Sequence, residues 1–485
     1  MIGLAAVLST EGNWELAIKV LDRAVEKNPD DPSLAFRRAL TIPKILESSE
    51  QIERSREMTN RRLDELLEQE VEPSQNAAKF NFTAFELPCQ GRTDRGIQEK
   101  IARVASKLFP SLSYSAPHVS QPRTTGKIRV GFLSEFFYSH TISKLNVGLL
   151  EQLNADQFEK HLFLFPKKED DWRTRAQSAA DAVVELPRNL EAARTKIADS
   201  ELDVLFYPDI GMGTQSYRLA FSRLARVQAV SWGHPITTGI PAVDYFVSAD
   251  KIETPEADQH YSEKLIRMER LPCYYYRKEV ADTPYPWRKH GFDKLHHIYL
   301  CPQSQFKVHP DFDVILGGIL ARDINAVIVF IEGLSEWSQK IRRRLQESIG
   351  IELADRVQFI PAVDQDEFVQ MVRDAHVVLD PVAFGGGNTS YEAMLVGTPV
   401  VTCPGELMRN RVTAGLYEQM GITDCVVKNS TEYVTRAVEI AKDSRLRGRL
   451  RDKIIKGGDA IFEDDLAVRE FESFIKTALN EVDDS

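Results

Sequence analysis

From residue 127 onward, short apolar runs alternate with helix-length segments. The runs fall at 128–133, 161–165, 182–186, 204–207, 227–231 and 245–247, each bounded by turn residues. Runs that are apolar throughout fit strands covered on both faces, and the longer spacers fit the helical crossovers of a parallel sheet. The rhythm breaks at 272–287, a stretch holding Tyr274, Tyr275, Tyr276 and three prolines, and then restarts at 297–301, 326–331, 357–360, 377–379, 399–402 and 425–427. This pattern predicts two consecutive doubly wound α/β domains, 127–280 and 281–485, facing a cleft. Open sheets of this kind bind ligands beyond the carboxyl ends of their strands, so candidate residues should follow the strands.

The first 70 residues read as helices. Gly12, Ala17, Ala24 and Pro29 have the spacing of one tetratricopeptide repeat, with Trp14 beside the glycine. Small residues there let two helices pack closely, and Pro29 with Asp30 and Asp31 ends the second. Residues 32–46 lack the glycine and closing proline of another repeat, and 50–69 reads as a charged amphipathic helix. One repeat does not make a stable solenoid, so 1–70 is either the tail of an array or a cap on the next domain; a plain helical hairpin is the simpler alternative. Residues 71–126 form a helical linker region, with a helix at 96–108 followed by a Ser-, Pro- and Thr-rich linker at 110–126.

Four strand-end stretches carry candidate chemistry. DPVAFGGGNTSYE, at 380–392, follows a strand and opens a helix. Its glycines, Gly386 and Gly387 among them, permit close backbone approach, and the helix N-terminus offers free N–H groups and partial positive charge. Asn388, Thr389 and Ser390 add polar side chains, and the set suits a diphosphate; Glu392, one turn on, can accept from ribose hydroxyls. A ligand-free capped turn would look the same. PQSQFKVHP, at 302–310, places Ser304 and Lys307 after a strand. An ammonium there can neutralise a departing diphosphate, although most lysines are simply solvated. SEFFYSHTISKL, at 134–145, offers His140 as a base or a sugar contact. SWGHPITTGIP, at 231–241, and DIGMG, at 209–213, offer His234, Thr237, Thr238 and Gly239 for a sugar or acceptor pocket and Asp209 for proton removal; ordinary turn chemistry is the alternative.

Composition narrows the field. The net charge of −11 argues against a nucleic-acid partner. The basic triplet Arg342–Arg344 lies in a helix-like stretch and reads as a solvated face. Five scattered cysteines without a CxxC pair argue against zinc and disulfides. The carboxylate pairs Asp311/Asp313 and Asp364/Asp366 have a metal-like spacing that also arises by chance in an acidic chain, and no metal is expected. No apolar run approaches the roughly 20 residues of a membrane span, and no signal peptide is apparent, so a cytoplasmic location is expected.

These stretches resemble glycosyltransferase family 41. The resemblance runs from Lys127 to the C-terminus and rests on RVGFLSEFFYSHTISKL, SWGHPITTG, DYFVSAD, YSEKL, PQSQFK and GGGNTSYEAMLVGTPVVTCPGELMRNRV, in that order, with the N-terminal repeat. It implies a GT-B fold, two Rossmann-like domains facing a cleft, behind a tetratricopeptide-like segment. It implies an inverting, metal-independent transfer of a sugar from a nucleotide donor, UDP-N-acetylglucosamine first, to Ser or Thr of a protein or peptide. It assigns Lys307 to the donor diphosphate, His140 to the reacting sugar, Asn388 and Thr389 to the phosphates, Glu392 to the ribose, Phe368 to base stacking and Val363 to base reading through its backbone. Ser304, Gln365 and Phe384 depart from the family pattern and leave the sugar open. An O-fucosyltransferase, an N-glucosyltransferase, a sugar-nucleotide epimerase and a non-catalytic repeat scaffold remain as alternatives.

Overall fold

The computed structural model describes residues 1–74, 76–123 and 125–483. Two parallel sheets account for both periodic regions. The first contains β1 (Ile128–Leu133), β2 (Phe158–Leu164), β3 (Ala182–Glu185), β4 (Val204–Tyr207), β5 (Val227–Ser231), β6 (Tyr245–Ala249) and β7 (Lys264–Met268), in the order β3-β2-β1-β4-β5-β6-β7. The second contains β8 (His297–Cys301), β9 (Ala326–Ile331), β10 (Val357–Ile360), β11 (Val377–Leu379) and β12 (Val400–Val401), in the order β10-β9-β8-β11-β12. Every strand pair within them is parallel, and the reversal of strand order beside β1 and β8 opens a crevice at the carboxyl end of each sheet. This is the expected GT-B architecture.

Three sequence expectations need correction. The strand β7 was not anticipated, because KLIRM at the sheet edge buries only Leu265 and Met268 and so shows no continuous apolar run. Residues 425–427 form no strand; Val426 makes a single bridge to Thr402. The final helix, Asp465–Asp483, leaves the second domain and returns to the first sheet. Its Phe471 packs edge-on against Phe206 of β4 and at a tilt against Phe132 of β1, and its Phe474 packs edge-on against Tyr245 of β6. Residues 465–483 therefore pack with the first domain, because their apolar stripe supplies a cover that this sheet otherwise lacks.

The N-terminal segment folds as the helix hairpin Ile2–Thr10 and Trp14–Lys27, followed by helices Pro32–Ala39 and Ser49–Glu68. Gly12 takes φ +82° in the hairpin turn, a conformation that disfavours side chains. The hairpin does not project freely: Trp337 Nε1 donates to Thr10 O at 2.7 Å, and Lys340 pairs with Glu47 at 2.6 Å. Arg344, read above as part of a solvated face, is buried. Its guanidinium grips Asp313 through two bonds of 2.8 and 2.7 Å and also donates to the Leu46 and Val308 carbonyls. This pairing also removes Asp313 from any metal-ligand role. Residues 110–123 likewise lie on the first domain, where Ala116 N donates to Arg223 O and His118 Nε2 contacts Leu202 O.

Candidate functional site

The crevices of the two sheets meet in a cleft of about 200 Å³. One wall comes from the first domain through Thr141, Leu145, Trp232, Gly233 and Pro235. The other comes from the second through Pro302, Gln303, Ser304, Lys307, Phe384 to Thr389, Arg409 and Val412.

Lys307 follows β8 on the short turn Gln305–Lys307. Its ammonium sits 4.1 Å from the centre of the Phe384 ring and donates to Gln303 Oε1 at 3.2 Å. Among the described residues no carboxylate stands within ion-pair distance of it, and burial holds its pKa below the usual lysine range. Gln303 in turn donates through Nε2 to Thr389 Oγ1. One side-chain amide therefore ties the ammonium to the start of the glycine loop.

That loop is held from beneath. Asp380, buried at the end of β11, accepts from Gly386 N at 2.6 Å and from Thr402 Oγ1 at 2.7 Å. Gly385 N donates to Arg409 O at 2.9 Å. The helix Asn388–Leu395 begins here, and the N–H groups of Gly387, Asn388 and Thr389 make no hydrogen bond with any described residue. Three free amides and an unneutralised ammonium thus face one cavity, which is the requirement for holding a diphosphate. Asn388 Oδ1 accepts from Tyr275 OH at 2.9 Å, and Tyr275 stacks face to face on Tyr391 at 4.5 Å, so the inter-domain crossing braces the loop.

The predicted residues divide sharply. Ser304, Lys307, Gly386, Gly387, Asn388 and Thr389 line the cleft. Ser390 lies just below, bonded to Thr413 at 2.7 Å. Glu392 is buried and already engaged: Lys144 of the first domain reaches it at 2.7 Å and Gln365 Nε2 at 2.8 Å. Val363 and Phe368 flank Gln365 outside the cavity lining and pack partly on the core. His140 precedes the lining residue Thr141 and caps its helix, its Nδ1 accepting from Ile142 N at 3.2 Å. Burial and the nearby Lys144 and Lys167 lower its pKa to about 4, so near neutral pH the ring is uncharged. With Nδ1 accepting, the single ring proton is on Nε2, so that nitrogen donates to a ligand and does not act as a base.

Thr237, Thr238 and Gly239 are a correction. Glu263 accepts from Thr237 Oγ1 at 2.6 Å and from Thr238 N at 2.8 Å, and also from the Thr238 hydroxyl. Gly239 N donates to Ser262 at 3.1 Å, and a Cβ there would strike the backbone of Gln98 at 2.3 Å. Thr237 and Thr238 fasten the loop to Ser262 and Glu263, Gly239 packs against the helix Arg95–Leu108, and the three leave the sugar pocket to others. Sequence reasoning also missed Gln303, Arg409, Trp232 and Lys144. Each lies within a quoted stretch, but nothing in the one-dimensional pattern says which side chain turns inward.

Asp209 is buried below the cleft, and neither carboxylate oxygen has a hydrogen-bond partner. Burial, with Glu135 nearby, raises its pKa from 3.8 to about 7. A folded-state pKa above the unfolded value means that folding favours the protonated acid. Stability then falls as pH rises from about 4 to 7 and stays low above that. The Asp209→Asn variant should melt above the parent at pH 8, with the gap closing toward pH 4; a gap independent of pH, measured by scanning fluorimetry, would refute the buried acid.

Comparison with known proteins points to one family. The model of glycosyl transferase family 41 matches residues 87–275 and 293–462, and a tetratricopeptide repeat model matches 1–41. The chain is similar to the probable UDP-N-acetylglucosamine–peptide N-acetylglucosaminyltransferase SEC of Arabidopsis thaliana, at 24% identity over 65% of this chain and 33% of that protein. It is similar to the equivalent enzyme SPINDLY of Hordeum vulgare at 23% identity over 80% of this chain and 42% of that one. A UDP-glucose:protein N-beta-glucosyltransferase of Actinobacillus pleuropneumoniae is 23% identical over 56% of this chain and 43% of its own length. The chain thus spans between 33% and 43% of the length of these relatives. Among solved structures, a mutant O-GlcNAc transferase of Thermobaculum terrenum superposes with a TM-score of 0.77 at 20% identity, covering 99% of this chain and 90% of that one, which establishes a shared fold. With both α/β domains matched by one family model over most of their length, the chain belongs to glycosyltransferase family 41.

Proposed function

We propose that the cleft transfers a sugar from a nucleoside diphosphate donor to a hydroxyl of a protein or peptide. One observation carries this reading: Lys307, without a carboxylate partner, shares Gln303 with the N-terminus of a helix whose first amides are free. In the proposed step the acceptor oxygen attacks the anomeric carbon from the side opposite the diphosphate. The bond from that carbon to the β-phosphate oxygen breaks, the nucleoside diphosphate leaves with the electron pair, and the hydroxyl proton passes to water. Negative charge grows on the leaving phosphate, where the ammonium and the amides are already placed. His140 supports the reaction as a hydrogen-bond donor through Nε2. Asp209 lies too deep to touch an acceptor and would act only through intervening water.

The names of the relatives support a UDP-linked donor and a protein acceptor, and UDP-N-acetylglucosamine with Ser or Thr is the first pairing to test. The test is incubation with UDP- and GDP-linked sugars and with peptides carrying Ser, Thr or Asn, followed by mass spectrometry of the peptides. Labelling of Ser or Thr that survives EDTA is the expected result. Labelling confined to Asn would move the reading to N-glycosylation. Conversion of donor without acceptor would indicate an epimerase, and absence of nucleotide binding in calorimetry would leave a scaffold.

A further inference from the structure

The segment joining the helical unit to the first α/β domain packs against loops that line the cleft. Phe85, five residues after the core residue Phe80 and two before the turn Leu87–Gln90, stacks on His234 with ring centres 5.2 Å apart and planes 12° from parallel. Its edge meets Phe306, the neighbour of Lys307, at 5.8 Å. A single ring from the N-terminal segment therefore touches a cleft loop of each domain. His234 also meets Gly211, where a Cβ would lie 2.7 Å from His234 Cδ2; Gly211 has φ +103°. The imidazole is held by a phenyl face and by close approach to a bare backbone.

The clamped ring is itself unsatisfied. His234 is 3% exposed, and neither ring nitrogen forms a hydrogen bond with any described residue. Its chain neighbours Gly233 and Pro235 line the cleft. A ring nitrogen that no protein group engages, on a residue whose two chain neighbours line the cleft, is available to hydrogen-bond a ligand there. The charged groups acting on it are the cations Arg409 and Lys307, and with burial they hold its pKa down to about 3.

We infer that Phe85 is a positioning residue, holding the His234 imidazole so that it hydrogen-bonds the transferred sugar or the acceptor hydroxyl in the cleft. The helical unit is then part of the active site as well as a cap on it. The inference rests on the transfer reading above.

Its test compares Phe85→Ala, Phe85→Leu and Phe85→Tyr in the full chain. Phe85→Leu keeps apolar volume but loses the flat face, which separates positioning from folding. Phe85→Ala and Phe85→Leu should lower kcat about 10-fold or more with donor KM within twofold, and Phe85→Tyr should restore most of the rate. Opening the clamp also admits water to the ring, so NMR of labelled histidine should show the His234 titration rising from about 3 toward the ordinary imidazole range in Phe85→Ala. An unchanged titration together with a kcat within twofold of the parent in Phe85→Leu would overturn the inference. The NMR readout needs no turnover, so a failure of the transfer reading, seen as a parent protein inactive with every donor, is distinguishable from a failure of the clamp.

Discussion

Replacing Lys307 by methionine should lower kcat about 10³-fold while leaving the melting temperature at or above that of the parent. The two halves of this expectation have one cause. The ammonium is held in a partly enclosed site with one amide oxygen and an aromatic face as neighbours, and burial alone already depresses its pKa. Removing such a charge relieves desolvation, and methionine preserves the length and apolar stem of the side chain. The rate falls because the diphosphate gains negative charge as it departs, so the cation stabilises the transition state more than the bound donor. The drop should therefore appear in kcat under single-turnover conditions, with a smaller rise in donor KM. An equal rise in KM with kcat preserved would make Lys307 a binding contact only, and full activity would remove it from the site.

The strands flanking the site were legible because they are buried on both faces, which writes them as unbroken apolar runs. β1, β4, β5, β8, β9 and β11 appear within a residue or two of where the pattern places them. β7 was hidden by its edge position, where alternate residues face outward. The glycine loop was legible as a loop, since glycines between a strand and a helix have few other uses. Its function was not legible in the same way: that Gln303 joins Lys307 to Thr389 depends on the separation of β8 and β11, which are adjacent in the sheet and far apart in sequence. Arg344 shows the converse error. Its run of basic neighbours suggests solvent, whereas Asp313 of its own domain sets a carboxylate and the docked N-terminal segment a carbonyl at its guanidinium. Thr237 and Thr238 looked like sugar ligands because hydroxyls beside glycine suit either role, and Glu263, 26 and 25 residues on, decides it.

Gly386→Ala should cost about 10²-fold in kcat/KM, with donor KM carrying much of the loss. A Cβ at this position would lie 2.3 Å from Ser390 Oγ, 2.8 Å from Thr389 Oγ1 and 2.9 Å from Gln303 Nε2. None of these can step aside freely. Ser390 is tied to Thr413, and Thr389 to Gln303, which also accepts from Lys307. The loop has to move instead, carrying with it the amides aimed at the donor phosphates. Those amides bind the phosphates before the bond breaks, which is why KM should respond here more than at Lys307. Gly387→Ala is the matched control: its Cβ would approach only Trp232 Cζ3, at 3.2 Å across the cleft, and a few tenths of an ångström of give would accommodate it. Its effect should be under tenfold. If Gly386→Ala binds and turns over donor as the parent does, the loop does not grip the diphosphate, and the free amides need another explanation.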